Sequence, residues 1–409
     1  MATYDLSLIE SNDIVNESKD KNENEEKKDI LNFPSQNHET MIKEGYLKRR
    51  TFQCRDKEYC VIRYAKKRLE PKNIGSVGLF RSVISRDGNI KAFAPPKGID
   101  SKDFFMRFPF NECLVEEYVE GTMINMFFDE DWEISTRSGV GGNFGFFQTN
   151  TGENIMTFRS MFLEACNNAN FDFDILNKDL CYSFVLQHPR NRIVTPFTET
   201  NIYLIACYKI DNETKRVSVV PLENTIHSFE HTLIRYPQPI CCNVNNYDEL
   251  ETMYASSKVD YVNVGAMIYH KSSGARTKIR NPNYEVVRKL RGNSPKDQFR
   301  YLILRNERNV MKYLKYYPED KSSFEVYCKQ VNDFTKRVFE HYVECYIQKQ
   351  KPLLEYPYQF RTHMYMLHQI YLTQLRDNRK HVTKQVTIDY VNSLPPSKLF
   401  FSLNYKSDE

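Results

Sequence analysis

Period-two alternation of apolar and polar residues runs through much of the chain from about residue 41 to 280, and a helical period takes over beyond it. VGLFRSVI (77–84) and IKAFAP (90–95) flank Asp87-Gly88-Asn89, a spacing that predicts a hairpin. CLVEEYVEGTMINMFF (113–128) reads as a long extended arm entering the turn Asp129-Glu130-Asp131, and WEISTR (132–137) returns from it. Trp132, Ile134 and Thr136 then share one face, with Glu133, Ser135 and Arg137 on the other. YSFVLQ (182–187), IYLIACYKI (202–210), RVSVVPL (216–222) and VGAMIYH (264–270) are further strands. One helix interrupts them, with Ile155, Phe158, Phe162, Ala165 and Cys166 on a common face.

After Pro282 the pattern is helical. Ser294-Pro295 predicts an N-cap and first helical residue for KDQFRYLILRNERNVMKYLKYY. Ser322-Ser323-Phe324-Glu325 reads as a capping box. Phe324, Cys328, Val331, Phe334, Val338, Tyr342, Cys345 and Tyr346 follow at helical spacing, and 357–374 and 384–393 give shorter helices. Residues 1–40, with ESKDKNENEEKKD at 17–29, are too polar to fill a core and are expected to form a disordered tail. The plan is a tail (1–40), an α+β domain (41–285) and a helical C-terminal domain (286–409), with the change of pattern between 282 and 294.

Composition narrows the function classes. A length of 409 residues allows two to three domains, each with a sizeable core. The apolar runs are too short to span a membrane, and MATYDLSLIESND does not resemble a signal peptide. Ten cysteines form no CxxC pair, and Cys241 and Cys242 are adjacent, so reduced cysteines in a cytoplasmic setting are expected. The nine histidines lack metal-ligand spacing, and no metal site is assigned. The net charge of +4 is unevenly spread: residues 271–315 hold thirteen lysines and arginines against three acids. Such a segment, which includes Arg276, Arg288, Lys289 and Arg291, suits nucleic-acid phosphates or a solvated helix face.

Four segments could carry chemistry. Tyr118-Val-Glu-Gly-Thr122 ends a strand in a carboxylate, a glycine and a hydroxyl. Ser135-Thr-Arg-Ser-Gly139-Val-Gly-Gly142 runs a strand into a glycine cluster beside Arg137, either a phosphate-binding loop or a plain hairpin loop. Phe184-Val-Leu-Gln-His-Pro-Arg-Asn-Arg-Ile-Val194 is the third. In the fourth, alternation puts Arg276, Lys278 and Arg280 on one strand face. Three such cations repel one another unless an anion or solvent takes up their charge, so the strand is a phosphate site or an edge guarded by charge.

In order and spacing these segments resemble the phage-type RNA ligase 1 family, part of the covalent nucleotidyltransferases. GLFRSVISRDGNIKAFAPPK, ending at Lys97, resembles the stretch that precedes the family's nucleotidyl-lysine motif K-x-D-G-S/T, and Tyr118 through Thr122 matches that motif. Thr136-Arg137-Ser138-Gly139, Phe184 through Val194, Val264-Gly265-Ala266-Met267 and Lys278-Ile279-Arg280 match the following elements. The resemblance covers roughly half the chain and implies a ligase-type nucleotidyltransferase domain of antiparallel sheets with helices, then an all-helical domain. It implies ATP and magnesium as cofactors and RNA or nucleotide as partner. It assigns Glu120, Gly121, Arg137, Arg192, Lys278 and Arg280 to nucleotide and phosphate, and Tyr118 to the nucleophile position. With the Lys/Asn/Ile/Tyr-rich composition it makes a large DNA virus the expected source, and host cytoplasm or virion the setting.

Three positions depart from the family pattern. Tyr118 replaces the nucleophilic lysine, and Val185 and Val264 replace glutamates, while the phosphate-side cations persist. Loss of two carboxylates weakens metal placement. The expected protein binds nucleotide or RNA ends without the covalent step. An atypical enzyme using Tyr118, Lys97 or Lys278, and an assembly protein on a ligase fold, are the alternatives.

Overall fold

The computed structural model describes residues 2–7, 38–145, 156–240 and 244–405, which fall into two compact units that meet in sequence at Val286 and Val287. Strands of the first unit are β1 (Thr3–Asp5), β2 (Leu47–Cys54), β3 (Lys57–Tyr64), β4 (Val83–Arg86), β5 (Asn89–Phe93), β6 (Cys113–Glu117), β7 (Thr122–Asp129), β8 (Asp131–Thr136), β9 (Gly139–Val140), β10 (Leu180–Gln187), β11 (Asn201–Asp211), β12 (Arg216–Val220), β13 (Gly265–His270) and β14 (Arg276–Arg280). They form three antiparallel sheets ordered β1-β12-β11-β10-β7-β8-β9, β2-β3-β4-β5 and β14-β13-β6. The helices of this unit are α1 (His38–Lys43), α2 (Ser101–Arg107), α3 (Phe158–Asn168) and α4 (Tyr247–Ala255). The α+β class expected from the sequence is the class found.

One apolar layer lies between the seven- and four-stranded sheets and contains Tyr59, Val61, Phe93, Phe127 and Val217. A second packs α3 on the opposite face of the seven-stranded sheet through Phe158, Phe162, Ile124, Phe184 and Leu204. The central strands therefore bury both faces, which explains why β7 and β10 read as continuous apolar runs. It also explains Glu133 and Ser135, each fully buried although polar. A third layer packs Phe104 of α2 and Leu250 of α4 on Ala266, Ile268 and Ile279 of the small sheet.

The turn between β4 and β5 follows the sequence reading: Asp87 and Gly88 both have positive φ, at 50° and 73°, as a tight hairpin requires. Other expectations are corrected. Residues 2–7 are not tail: β1 pairs with β12, and Leu6 is fully buried. The remainder of the expected tail through residue 37, and Ile155 of the expected helix face, lie outside the described residues. Residues 113–128 are not one arm, since β6 belongs to the small sheet and β7 to the large one. Residues 118–121 make the crossing.

The second unit takes the latter half of α5 (Pro282–Arg291) and adds α6 (Asp297–Asn306), α7 (Val310–Tyr316), α8 (Lys321–Tyr342), α9 (Tyr358–Ile370), α10 (Lys384–Ser393) and α11 (Pro396–Leu403). Phe324, Tyr327, Val331, Phe334, Val338 and Tyr342 form the buried stripe of α8. Ser322 does not cap that helix, which starts a residue earlier at Lys321 behind Asp320. The carboxylate of Asp320 instead accepts from Arg291 at 2.9 Å.

Candidate functional site

The crossing from β6 to β7 sets Tyr118 at the seam between two sheets. Its backbone N–H donates to Gly265 O at 3.2 Å, tying it to the start of β13. Gly121 ends the crossing at φ 151°, where a Cβ would lie 2.5 Å from Leu186 O and 2.6 Å from Val185 Cγ1. Only glycine lets β7 and β10 approach so closely there. Gly265 is constrained likewise, its added Cβ falling on Ile279 O.

A cavity of about 400 Å³ opens at this seam, within the usual range for small-molecule sites. Tyr118, Gly121, Val185 and Thr277 contribute to its wall. Seven cationic side chains line it, Lys66, Arg81, Lys97, Arg137, Arg276, Lys278 and Arg280, against one carboxylate, Glu117. The larger cavity of the helical unit, about 530 Å³, contrasts with it: Arg305, Lys336 and Lys384 are offset there by Glu340 and Glu344.

The cations surround the tyrosine. Arg280 Nη2 donates to Tyr118 Oη at 2.9 Å, and Arg280 Nη1 pairs with Glu285. Arg280 Cζ and Lys278 Nζ lie 5.4 and 5.9 Å from the Tyr118 ring centroid. Arg137 stacks its guanidinium over Tyr64 at 4.9 Å, and its buried Nε has no hydrogen-bond partner. Lys97 Nζ donates to Gly98 O at 2.8 Å, and Arg276 donates to Pro96 O at 2.7 Å and Pro95 O at 3.1 Å.

Mutual repulsion and burial mark these groups electrically. Burial, with Arg276 and Arg137 nearby, pushes Arg81 down to about 10. Burial pushes Lys278 down to about 8, the pull of Tyr118 opposing it and Arg280, Lys97 and Arg81 reinforcing it. Lys97 is also lowered, by burial and then by Arg81 and Arg276. Burial, the largest influence on Tyr118, raises its phenol, but Lys278, Arg280 and Arg81 outweigh it and hold the phenol below its ordinary value.

The sequence-assigned residues divide here. Gly121, Arg137, Lys278 and Arg280 line the cavity with Tyr118, and Arg276 joins them. Glu120 does not: its carboxylate accepts from Val194 N at 2.6 Å and from Thr195 N and Oγ1 at 3.1 and 2.7 Å. Arg192 donates to Val194 O at 2.9 Å in the same clamp, which pins the NRIV segment to the crossing. Val185 lines the cavity, whereas Val264 is buried outside its wall. In the second unit Lys289 is exposed and Arg288 half-buried on α5, while Arg291 is buried against Tyr313, Tyr317 and Asp320. Arg81 and Lys66 are cavity residues the sequence reading gave no role. Arg81 sits inside the quoted GLFRSVI stretch, and its charge among apolar neighbours was the available signal.

No family model matches the sequence. An RNA ligase of Rhodothermus phage RM378 is 23% identical over 285 residues, covering 59% of this chain and 64% of the phage protein. The chain is a divergent relative of that phage RNA ligase. The immediate-early protein ICP-46 of Frog virus 3 (isolate Goorha) is 25% identical over 305 residues, 68% of each chain. Among solved structures, a putative ATP-dependent DNA ligase from Aquifex aeolicus overlays 82% of this RNA-ligase-like chain and 80% of its own at a TM-score of 0.39 and 11% identity. The RNA-ligase-like chain thus spans just under two thirds of the phage ligase. No helix among its described residues is long and apolar enough to cross a membrane.

Proposed function

We propose that this RNA-ligase-like chain binds a nucleotide or a phosphate-bearing RNA end at the Tyr118 cavity and has lost covalent nucleotidyl transfer. The observation that carries the reading is the seven-to-one excess of cations over carboxylates around Tyr118, the residue that the resemblance sets at the family's lysine position. Cations from β14 and from separate connecting segments converge on one cavity, and a polyanion relieves their repulsion. Arg137, Lys278 and Arg280 are the proposed phosphate contacts, and Gly121 lets the crossing backbone come close. Arg276 is a proposed nucleic-acid contact, and Arg288 and Lys289 are proposed as separate contacts to RNA phosphates. Glu120 and Arg192 are proposed to hold the crossing in place. The proposed setting is the host cytoplasm or the virion, and the eight described cysteines, all free, support a reducing compartment.

Filter binding of a 5′-phosphorylated RNA and of ATP, across a salt series and with Lys278→Ala and Arg280→Ala, tests the reading. Binding that weakens with salt and in both variants is expected. Equal affinity in wild type and variants overturns it.

The lowered Tyr118 phenol favours a second reading, an active enzyme. The phenolate oxygen would attack the α-phosphorus of ATP, forming a tyrosyl O–P bond as the α–β anhydride breaks and pyrophosphate leaves. ATP radiolabelled at the α-phosphate, followed by a denaturing gel, decides it. Label lost in Tyr118→Phe supports the enzyme, and no label removes it.

A further inference from the structure

Nucleotidyl-transfer sites ordinarily neutralise phosphate charge with a divalent ion, and such an ion needs several oxygen ligands held close together. The Tyr118 cavity does not fit that requirement. Its one carboxylate, Glu117, already accepts Gln238 N–H at 3.2 Å through Oε1. Glu120 is turned away into the Thr195 clamp. The wall position where the resemblance calls for a glutamate is the isopropyl group of Val185. Among the described residues no cluster of three or more His, Cys, Asp or Glu could hold a metal. A divalent cation in this cavity would also meet Arg81, Lys97, Lys278 and Arg280 at close quarters, a repulsion its own ligands would have to outweigh.

The same side chains can perform the ion's electrostatic task. Arg137 follows the end of β8 and Arg280 ends β14, strands of different sheets, so their guanidinium groups reach a ligand from different walls. Both keep a buried Nε donor without a partner. Lys278 lines the same cavity, and its flexible four-carbon stem can follow a phosphate chain.

We infer that the cavity binds the polyphosphate of a nucleotide without a divalent cation, its arginines and lysines replacing the metal. This rests on the nucleotide-binding reading above and adds to it the charge state of the ligand, metal-free rather than metal-complexed. Magnesium then competes: it withdraws ATP as a complex with two fewer negative charges, which the cationic cavity holds less well.

Calorimetric titration of the full chain with ATP, once in EDTA and once in excess magnesium chloride, tests it. Expected is binding in EDTA, weakened about threefold or more by magnesium, and about tenfold or more by Lys278→Ala in EDTA. Lys97→Ala gives a second cation deletion with the same expected direction, and unchanged circular dichroism of both variants checks that they fold. Binding seen only with magnesium overturns the inference and leaves the nucleotide-binding reading standing. No binding in either buffer overturns both. Binding in EDTA that neither variant weakens places the ATP elsewhere and overturns the inference.

Discussion

Arg280 holds Tyr118 by its hydroxyl, Nη2 to Oη at 2.9 Å, while its other terminal nitrogen pairs with Glu285. The residue that the resemblance sets at the nucleophile position is thus bonded to a proposed phosphate cation. Lys278 faces the same ring from 5.9 Å. A tyrosine so placed is an acceptor within a cationic wall.

Its titration is directly observable. In a spectrophotometric titration of the phenolate band, one tyrosine is expected to ionise below the ordinary range near 10, and the early step should vanish in Tyr118→Phe. An unchanged early step in that variant would assign it to another tyrosine.

Under the proposed non-covalent reading, a lysine at position 118 should not by itself supply nucleotidyl transfer. Tyr118→Lys is expected to bind ATP yet give no mass increase from a nucleotidyl adduct, because Val185 and Val264 still offer no carboxylate. An adduct on intact-mass analysis would show that position 118 alone limits covalent transfer.

Ligand affinity should depend on pH through Lys278. Its ammonium titrates near 8, below its ordinary value. Only the protonated form attracts phosphate, so ATP affinity falls as pH rises from 7 to 9. Lys278→Arg, charged throughout this range, should flatten the fall. Titrations at three pH values compare the two proteins.

Stability should vary with pH through Glu116. Burial, with Glu223 and Glu117 nearby, raises its carboxyl to about 7. A raised folded pKa favours the native state below the unfolded value, and this contribution is lost as pH rises through about 7. Between about pH 4.5 and 7 the loss should be on the order of 3 kcal/mol. Glu116→Gln should remove it, as read in urea unfolding followed by the emission of Trp132, the single tryptophan.

Gly121→Ala tests the seam itself. With φ at 151° and Leu186 O 2.5 Å from the new Cβ, it is expected to cost about 2–4 kcal/mol. A thermal midpoint within a degree of wild type would show that the crossing relaxes freely.

The sequence by itself determined the α+β class, the β4–β5 hairpin, most strand positions and the cation stripe of β14. These are local properties, set by period-two patterning and turn residues with positive φ. It could not reveal that residues 113–128 change sheets, because both halves satisfy the same strand pattern and only their pairing partners differ. That change carries Tyr118 to the seam and turns Glu120 onto Thr195, while Arg81 and Lys97 reach the same cavity from other segments. Which charges meet depends on contacts between residues far apart in the chain, and packing of three sheets decided it.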